Sequence, residues 1–144
     1  MRPGVRMTAV LLAAGVALGG CGSVPTSDGV PTRPPAGEPS EGRRQIERAI
    51  AAFEQGRFPE STRLLQETPE LLAEPVAVRA QALKWLAFNH CVAGRRNACR
   101  RAFDALLVLE PAFELAPAES GHPSWGAEFD QARAAASAAR APVR

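Results

Sequence analysis

From Glu41 onward the apolar residues recur at the three- and four-residue spacing of a helix, and no run alternates apolar and polar residues as a strand does. The first apolar stripe contains Ile46, Ile50 and Phe53, and it ends before Gly56, a residue type common just after a helix. Helix-forming Ala, Leu, Glu, Gln and Arg dominate the segment. The pattern predicts an all-α domain.

Four further helices are predicted after the first. Their expected extents are Phe58 to an interruption at Thr68, Pro75 or Val76 to Ala93, Asn97 to Leu109, and Ser124 to an alanine-rich tail. Asn97 and Ser124 are residue types that cap helix N-termini, and we assign them that role. Because the turns are short, neighbouring helices should pack as antiparallel pairs, with the last helix closing the array.

The start of the chain, residues 1–20, has the layout of an export signal. Arg2 and Arg6 precede an apolar run over residues 9–18, and Gly19 and Gly20 follow it. This order of basic, apolar and small residues is typical of a secretory signal peptide. The apolar run is shorter than the roughly 20 residues that a membrane-spanning helix needs.

The tetrad Leu18-Gly19-Gly20-Cys21 resembles the lipobox of bacterial lipoproteins. The resemblance implies that Cys21 is lipidated and becomes the first residue of the mature chain, which several acyl chains would anchor durably. Gly22 stands where an aspartate would signal retention in the inner membrane. The resemblance therefore implies an outer-membrane lipoprotein of the bacterial envelope, facing the periplasm.

Residues 21–40 carry the cysteine and a proline-rich linker. Five prolines and few large apolar residues predict a disordered tether, which could hold a domain about 50 Å from the membrane. Residues 41–139 then form the folded helical domain, and residues 140–144 form a tail.

The length of 144 residues fits one domain and excludes a large multi-substrate enzyme. The 17 basic residues fall to 15 once Arg2 and Arg6 leave with the signal, which equals the 15 acidic residues. A neutral mature chain is a poor candidate for nucleic-acid binding. No nucleophile motif, glycine-rich phosphate loop or histidine pair is present, so we expect no enzyme activity and no cofactor. The single lysine, Lys84, is interpreted as compositional bias.

Two cysteines remain after Cys21. Cys91 ends one predicted helix and Cys99 begins the next, and an exported protein lies in an oxidising compartment, so a disulfide is expected. Its loop would contribute about 2.5 kcal/mol, provided that the two Cα atoms lie within about 7 Å. A zinc site of these cysteines with His90 and His122 is the alternative, but its spacing lacks the usual paired pattern.

Two regions could contact a partner. The candidate partner-binding residues are Arg95, Arg96, Arg100, Arg101, Phe113, His122 and Trp125. The four arginines form either a solvated helix face or a docking patch for an acidic partner or anionic lipid. The aromatic residues and His122 either staple the loop before the last helix over the domain or face a partner.

The two turns of the helical region also resemble each other. The segment from Gly56 to Ser61 matches the segment from Gly94 to Cys99, so position 56 corresponds to position 94. The two turns are thus 38 residues apart. Over residues 42–111 the chain is similar to the tetratricopeptide family, whose repeat unit of about 34 residues is close to that spacing. The positions that match the packing residues of that family are Leu83, Leu86, Ala87, Gly94, Cys99, Phe103, Leu106 and Pro111. The resemblance implies a fold that hosts many binding partners.

A narrower resemblance combines the lipobox, the Cys91/Cys99 hairpin and the segment Pro111-x-Phe113-x-Leu115, which leads into the element Gly121-His122-Pro123-Ser124-Trp125-Gly126. Together they resemble the TssQ family, small tetratricopeptide-like lipoproteins linked to type VI secretion. The resemblance implies a membrane-anchored adaptor that binds a protein partner in the cell envelope, such as a component of the secretion system. The alternative is a general envelope assembly or cell-wall-associated scaffold with the same fold.

Overall fold

The computed structural model describes residues 37–141, so the predicted signal segment, Cys21 and most of the linker lie outside the described residues. Within that range the chain folds into five α-helices and one 3-10 helix, with no strand, which confirms the predicted all-α class. The helices are α1 (Glu41–Glu54), α2 (Phe58–Gln66), α3 (Val76–Val92), α4 (Arg96–Leu109) and α5 (Gly126–Arg140), with the 3-10 helix at Pro69–Ala73.

Helix α3 lies at the centre of the domain. It packs against α1, α2, α4 and the 3-10 helix, whereas α5 packs against α4. Its C-terminal half is buried almost all round, from Ala87 to Cys91. This explains why α3 carries no clean polar face, because a helix surrounded by other helices has no solvent side to mark in the sequence.

The turns that join α1 to α2 and α3 to α4 have the same backbone hydrogen bonds. In each, a glycine with positive φ follows the helix and two N–H groups reach back to carbonyls near the helix end, the Schellman arrangement. The first turn has Gly56 N to Phe53 O (2.8 Å) and Arg57 N to Ala52 O (2.8 Å), and the second has Gly94 N to Cys91 O (3.0 Å) and Arg95 N to His90 O (2.8 Å).

The core has two clusters that meet at Trp85 and Leu86 on α3, since both side chains pack against both clusters. One cluster lies between α1, α2 and α3, and includes Ile46, Ala49, Leu65, Leu71, Val78 and Ala82. The larger lies between α3, α4, α5 and the preceding loop, and includes Phe88, Phe103, Leu106, Leu107, Trp125 and Phe129. The two clusters therefore form one continuous hydrophobic interior along α3.

The two predicted caps are wrong. Helix α4 begins one residue before Asn97, because the Schellman turn already directs the Arg95 carbonyl to accept the Cys99 N–H at 2.9 Å. Ser124 lies outside α5, and its own N–H donates to Nδ1 of His122 at 3.2 Å. Among the helices of residues 37–141, a side-chain cap is present at Ser40, whose hydroxyl accepts the Arg43 N–H at 3.3 Å.

The predicted interruption after Thr68 is a short 3-10 helix. The Thr68 hydroxyl donates to the Leu64 carbonyl at 2.6 Å as α2 ends, and Pro69 and Pro75 bracket the 3-10 segment. Prolines favour extended backbone in the residue before them, which limits the helix on both sides. The segment leaves Leu71 buried and Leu72 76% exposed.

Candidate partner-binding site

Arg96 is used within the domain. Its guanidinium lies 2.5 Å from the Glu128 carboxylate, and Glu128 is a buried residue in the first turn of α5. The Arg96 side chain is itself 75% exposed, so it covers the carboxylate from the solvent side. This ion pair joins the start of α4 to the start of α5.

Arg100 makes a second link between the same two helices. Its Nη2 donates to the Gln131 carbonyl at 3.0 Å, its Nη1 donates to the Gln131 side chain at 3.1 Å, and its Nε donates to Asp104 at 3.1 Å. Three bonds hold this guanidinium, two of them against α5. Two of the four arginines proposed as a docking patch are thus directed toward the domain itself.

Arg95 and Arg101 are exposed and have no acidic partner within residues 37–141. They flank the buried imidazole of His90, whose Nδ1 has no hydrogen-bond partner there. Burial, and then the positive charges of Arg95 and Arg101, hold the pKa of His90 below its usual value. Within residues 37–141, Arg95 and Arg101 are therefore the arginines of this cluster without a carboxylate partner, whereas Arg96 is exposed but already paired with Glu128.

Cys91 and Cys99 lie at disulfide distance, with their Cα atoms 5.1 Å apart. This distance is within the limit of about 7 Å for a disulfide, because α3 ends and α4 begins on either side of one tight turn. No group of three or more His, Cys, Asp or Glu side chains is placed to hold a metal within residues 37–141. The proposed zinc ligands do not assemble there.

Trp125 lies at the base of the loop between α4 and α5, and it is buried rather than displayed. Its ring stacks on Phe88 with centres 4.0 Å apart and on His122 with centres 3.6 Å apart. Its indole N–H donates to the Glu119 carbonyl at 3.0 Å. Of the two roles left open for Trp125, these contacts favour capping the hydrophobic interior.

Two glycines near Trp125 lie at positions where a side chain would not fit the backbone. Gly121 has a φ of +70°, a conformation that side chains disfavour. A Cβ on Gly126 would lie 3.0 Å from the Gly121 backbone, closer than ordinary contact allows. The His122 carbonyl accepts the Gly126 N–H at 2.8 Å. The Gly121–Gly126 element is therefore one compact turn that sets Trp125 in place.

The rest of the loop contributes apolar side chains of different exposure. Leu115 is buried in the larger cluster, and Phe113 is half-buried against it. His122 is half-buried, with its Nδ1 occupied by the Ser124 N–H. Phe113 and His122 thus retain accessible surface, whereas Trp125 retains little.

Sequence reasoning missed the ion pair between Lys84 and Glu119. Lys84 Nζ lies 2.6 Å from Glu119 Oε1, and the two side chains are 10% and 20% exposed. The lysine interpreted as compositional bias joins α3 to the loop. A single lysine within an apolar helix face is the signal that could have indicated a buried partner.

None of the helices within residues 37–141 has the length and apolarity to cross a bilayer. Comparisons of the chain with protein-family models, curated proteins and solved structures found no match.

Proposed function

We propose that the protein is a membrane-anchored periplasmic adaptor lipoprotein that binds a protein partner, as an accessory component of a type VI secretion system. The observation that carries the proposal is the repetition of one helical hairpin. The Schellman turns at Gly56 and Gly94 have matching hydrogen bonds at equivalent positions of the two hairpins. Tetratricopeptide-like repeats are scaffolds for protein binding, and a repeated hairpin is their basic unit.

The small residues at equivalent positions also support the interpretation of the two hairpins as copies of one repeat unit. Ala49 and Ala87 are related by the same offset as Gly56 and Gly94, and both have no exposed surface. Ser61 and Cys99, related by that offset again, are likewise fully buried. Small side chains at these positions allow the paired helices to approach closely. The turn and the helix contacts therefore repeat together, as expected for two copies of one unit.

The loop and α5 serve as a cap for the second hairpin. Trp125, Glu119 and Glu128 join them to α3 and α4 through stacking and ion pairs. Repeat arrays need a terminal element with a polar outer face to remain soluble. A single capped pair of hairpins is small, which suits an adaptor that a lipid anchor and a linker carry to its partner.

The link to type VI secretion rests on the resemblance of the Gly121–Gly126 element to the TssQ family. Its glycines, histidine and tryptophan support one another in a single packed turn.

Deletion of the gene in its native host tests the proposal. Killing of competitor bacteria by type VI secretion should fall, and the full chain supplied in trans should restore it. A strain that already lacks a working secretion apparatus provides the control, since deletion should have no further effect there. Killing that is unchanged after deletion would contradict the proposal.

A general envelope assembly or cell-wall-associated scaffold is the second candidate, because the same repeat fold and anchor would serve it. Deletion would then raise sensitivity to detergent or to wall-directed antibiotics whether or not the secretion apparatus works. That phenotype separates the two functions in the same pair of strains.

A further inference from the structure

An open groove of about 440 Å³ lies where the end of α2, the 3-10 helix and α3 meet. Its lining is mainly aliphatic, from Leu65, Leu71, Leu72, Leu83 and Leu86. Leu72 is 76% exposed at its edge, whereas Leu71 on its floor is buried. The exposed leucine continues the aliphatic lining out to the surface, so the groove and its edge form one contiguous apolar surface that another molecule could cover.

Two charged side chains line this groove, Arg79 and Glu67, and Glu67 is exposed and already paired with Arg63. Arg79 is half-buried and has no acidic partner or side-chain hydrogen bond within residues 37–141. The other arginines without an acidic partner there are all exposed: Arg43, Arg95, Arg101 and Arg140. A half-buried guanidinium without a carboxylate is electrostatically incomplete, because its charge has lost part of its hydration without gaining a counter-charge.

We propose that this groove docks an amphipathic helix of the partner protein, with aliphatic side chains on the leucines and a carboxylate paired to Arg79. The proposal rests on the adaptor function and names its binding face. A helix laid in a groove buries one face only, at anchors spaced three and four residues apart. An acyl chain is a poorer occupant, since ligand sites for small apolar molecules enclose most of the ligand surface and this groove is open along Leu72.

The groove lies outside the contacts that seal the cap. Arg79 and Leu72 make no part of the Trp125 stack or the Lys84–Glu119 pair, so both can be changed without opening the capped end. The segment that forms the groove is also where the first hairpin departs from the repeat, at the 3-10 helix. A surface specific to this chain, rather than shared by both hairpins, is suited to one partner.

Photo-crosslinking of the full chain in its native host tests the groove. Benzoylphenylalanine replaces Leu72 in one strain, and replaces Val108, an 82% exposed residue of α4, in the control strain. The Leu72 position should give a protein adduct that Val108 does not. Sequencing of the adduct should find aliphatic residues at helical spacing together with an Asp or Glu.

Charge variants then test Arg79 in the Leu72 crosslinking strain. Arg79→Glu and Arg79→Gln should lower adduct yield about tenfold, Arg79→Lys should retain most of it, and Arg140→Glu should have no effect. Melting temperatures of the purified variants establish that each one is folded. An adduct yield that is the same for Arg79→Glu, Arg79→Gln and the unchanged Arg79 would overturn the proposal.

The other possible crosslinking results also decide whether a partner helix occupies the groove. A lipid adduct, an adduct between two copies of this chain, or no adduct would each overturn the assignment of a partner helix. If the groove fails this test while deletion of the gene still abolishes killing, the adaptor function stands and its binding face lies elsewhere. If deletion leaves killing intact, the adaptor function fails whatever the groove binds.

Discussion

The ammonium nitrogen of Lys84 lies 2.6 Å from a carboxylate oxygen of Glu119, so a buried ion pair joins α3 to the loop before α5. The same nitrogen lies 5.1 Å from the centre of the Trp85 ring, and Glu119 also accepts the Ala116 N–H at 3.0 Å. Each charge therefore has several partners, as a buried ion pair requires.

Glu119→Gln should lower the free energy of unfolding by about 2 kcal/mol, because it leaves the Lys84 ammonium buried without a counter-charge. The double variant Lys84→Met/Glu119→Leu should recover much of that loss, since it removes both charges. Urea unfolding measures the three proteins. Arg63→Gln is the control, because the Arg63–Glu67 pair is exposed and should change stability by less than about 1 kcal/mol. Equal effects of the buried and exposed changes would contradict the ion-pair assignment.

Trp125→Ala should lower the free energy of unfolding by about 4 kcal/mol, since it removes a buried ring that stacks on Phe88. His122→Ala should cost about 1 kcal/mol, because His122 covers only the outer face of that ring. Thermal unfolding followed by circular dichroism compares them. Similar melting temperatures for Trp125→Ala and the wild type would rule out the capping role. Trp125→Ala is for the same reason a poor probe of partner binding, since it disturbs the fold.

The sequence was informative about local structure because local signals act within a few residues. Gly56 marked the end of α1 correctly, and the ends expected at Ala93 and Leu109 lie within one residue of the observed ends of α3 and α4. Gly94 and Pro111 follow those ends, and the positive φ of a glycine and the missing N–H of a proline depend on the residue itself. The spacing of the two turns likewise indicated the equivalence of the hairpins. The all-α class followed from these signals.

Long-range contacts were harder to anticipate. Lys84 and Glu119 are 35 residues apart, and Arg96 and Glu128 are 32 apart, so neither pairing has a local signature. Asn97 and Ser124 have good capping chemistry, but the tertiary positions of the turn and loop place the helix starts elsewhere. The groove at Arg79 also escaped prediction, because it depends on how the 3-10 helix meets α3.

A disulfide moved to the first hairpin tests the equivalence of the two turns. Phe53 and Ser61 stand in the first hairpin where Cys91 and Cys99 stand in the second. Phe53→Cys/Ser61→Cys should therefore form its own disulfide under conditions that oxidise Cys91 and Cys99. Peptide mapping by mass spectrometry distinguishes the two bonds. Free thiols at 53 and 61 beside an oxidised native pair would contradict the equivalence.

His90 should make stability depend on pH. Its folded pKa lies below the ordinary value of 6.5 because of burial, followed by Arg95 and Arg101, so the unfolded chain binds more protons as the pH falls below 6.5. The contribution of His90 to the free energy of unfolding is therefore fully present above pH 6.5 and is lost as the pH falls below that value.

His90→Phe should remove that decrease, since phenylalanine has no proton to gain. Urea midpoints of wild type and variant, measured from about pH 7 to about pH 5, compare the slopes. If the wild-type protein loses no more stability in acid than His90→Phe, the pKa of His90 is not lowered by folding, and this account of its pH dependence is wrong.

The most direct test of the tethered-adaptor account is the location and activity of Cys21→Ser in the native host. Serine lacks the thiol that lipidation requires, so the variant should move from the membrane fraction to the soluble fraction, and it should fail to restore killing in the deletion strain. The melting temperature of the purified variant, compared with that of the wild type, establishes that its helical domain is folded. A Cys21→Ser chain that stays with the membrane, or that restores killing while soluble, would contradict the account.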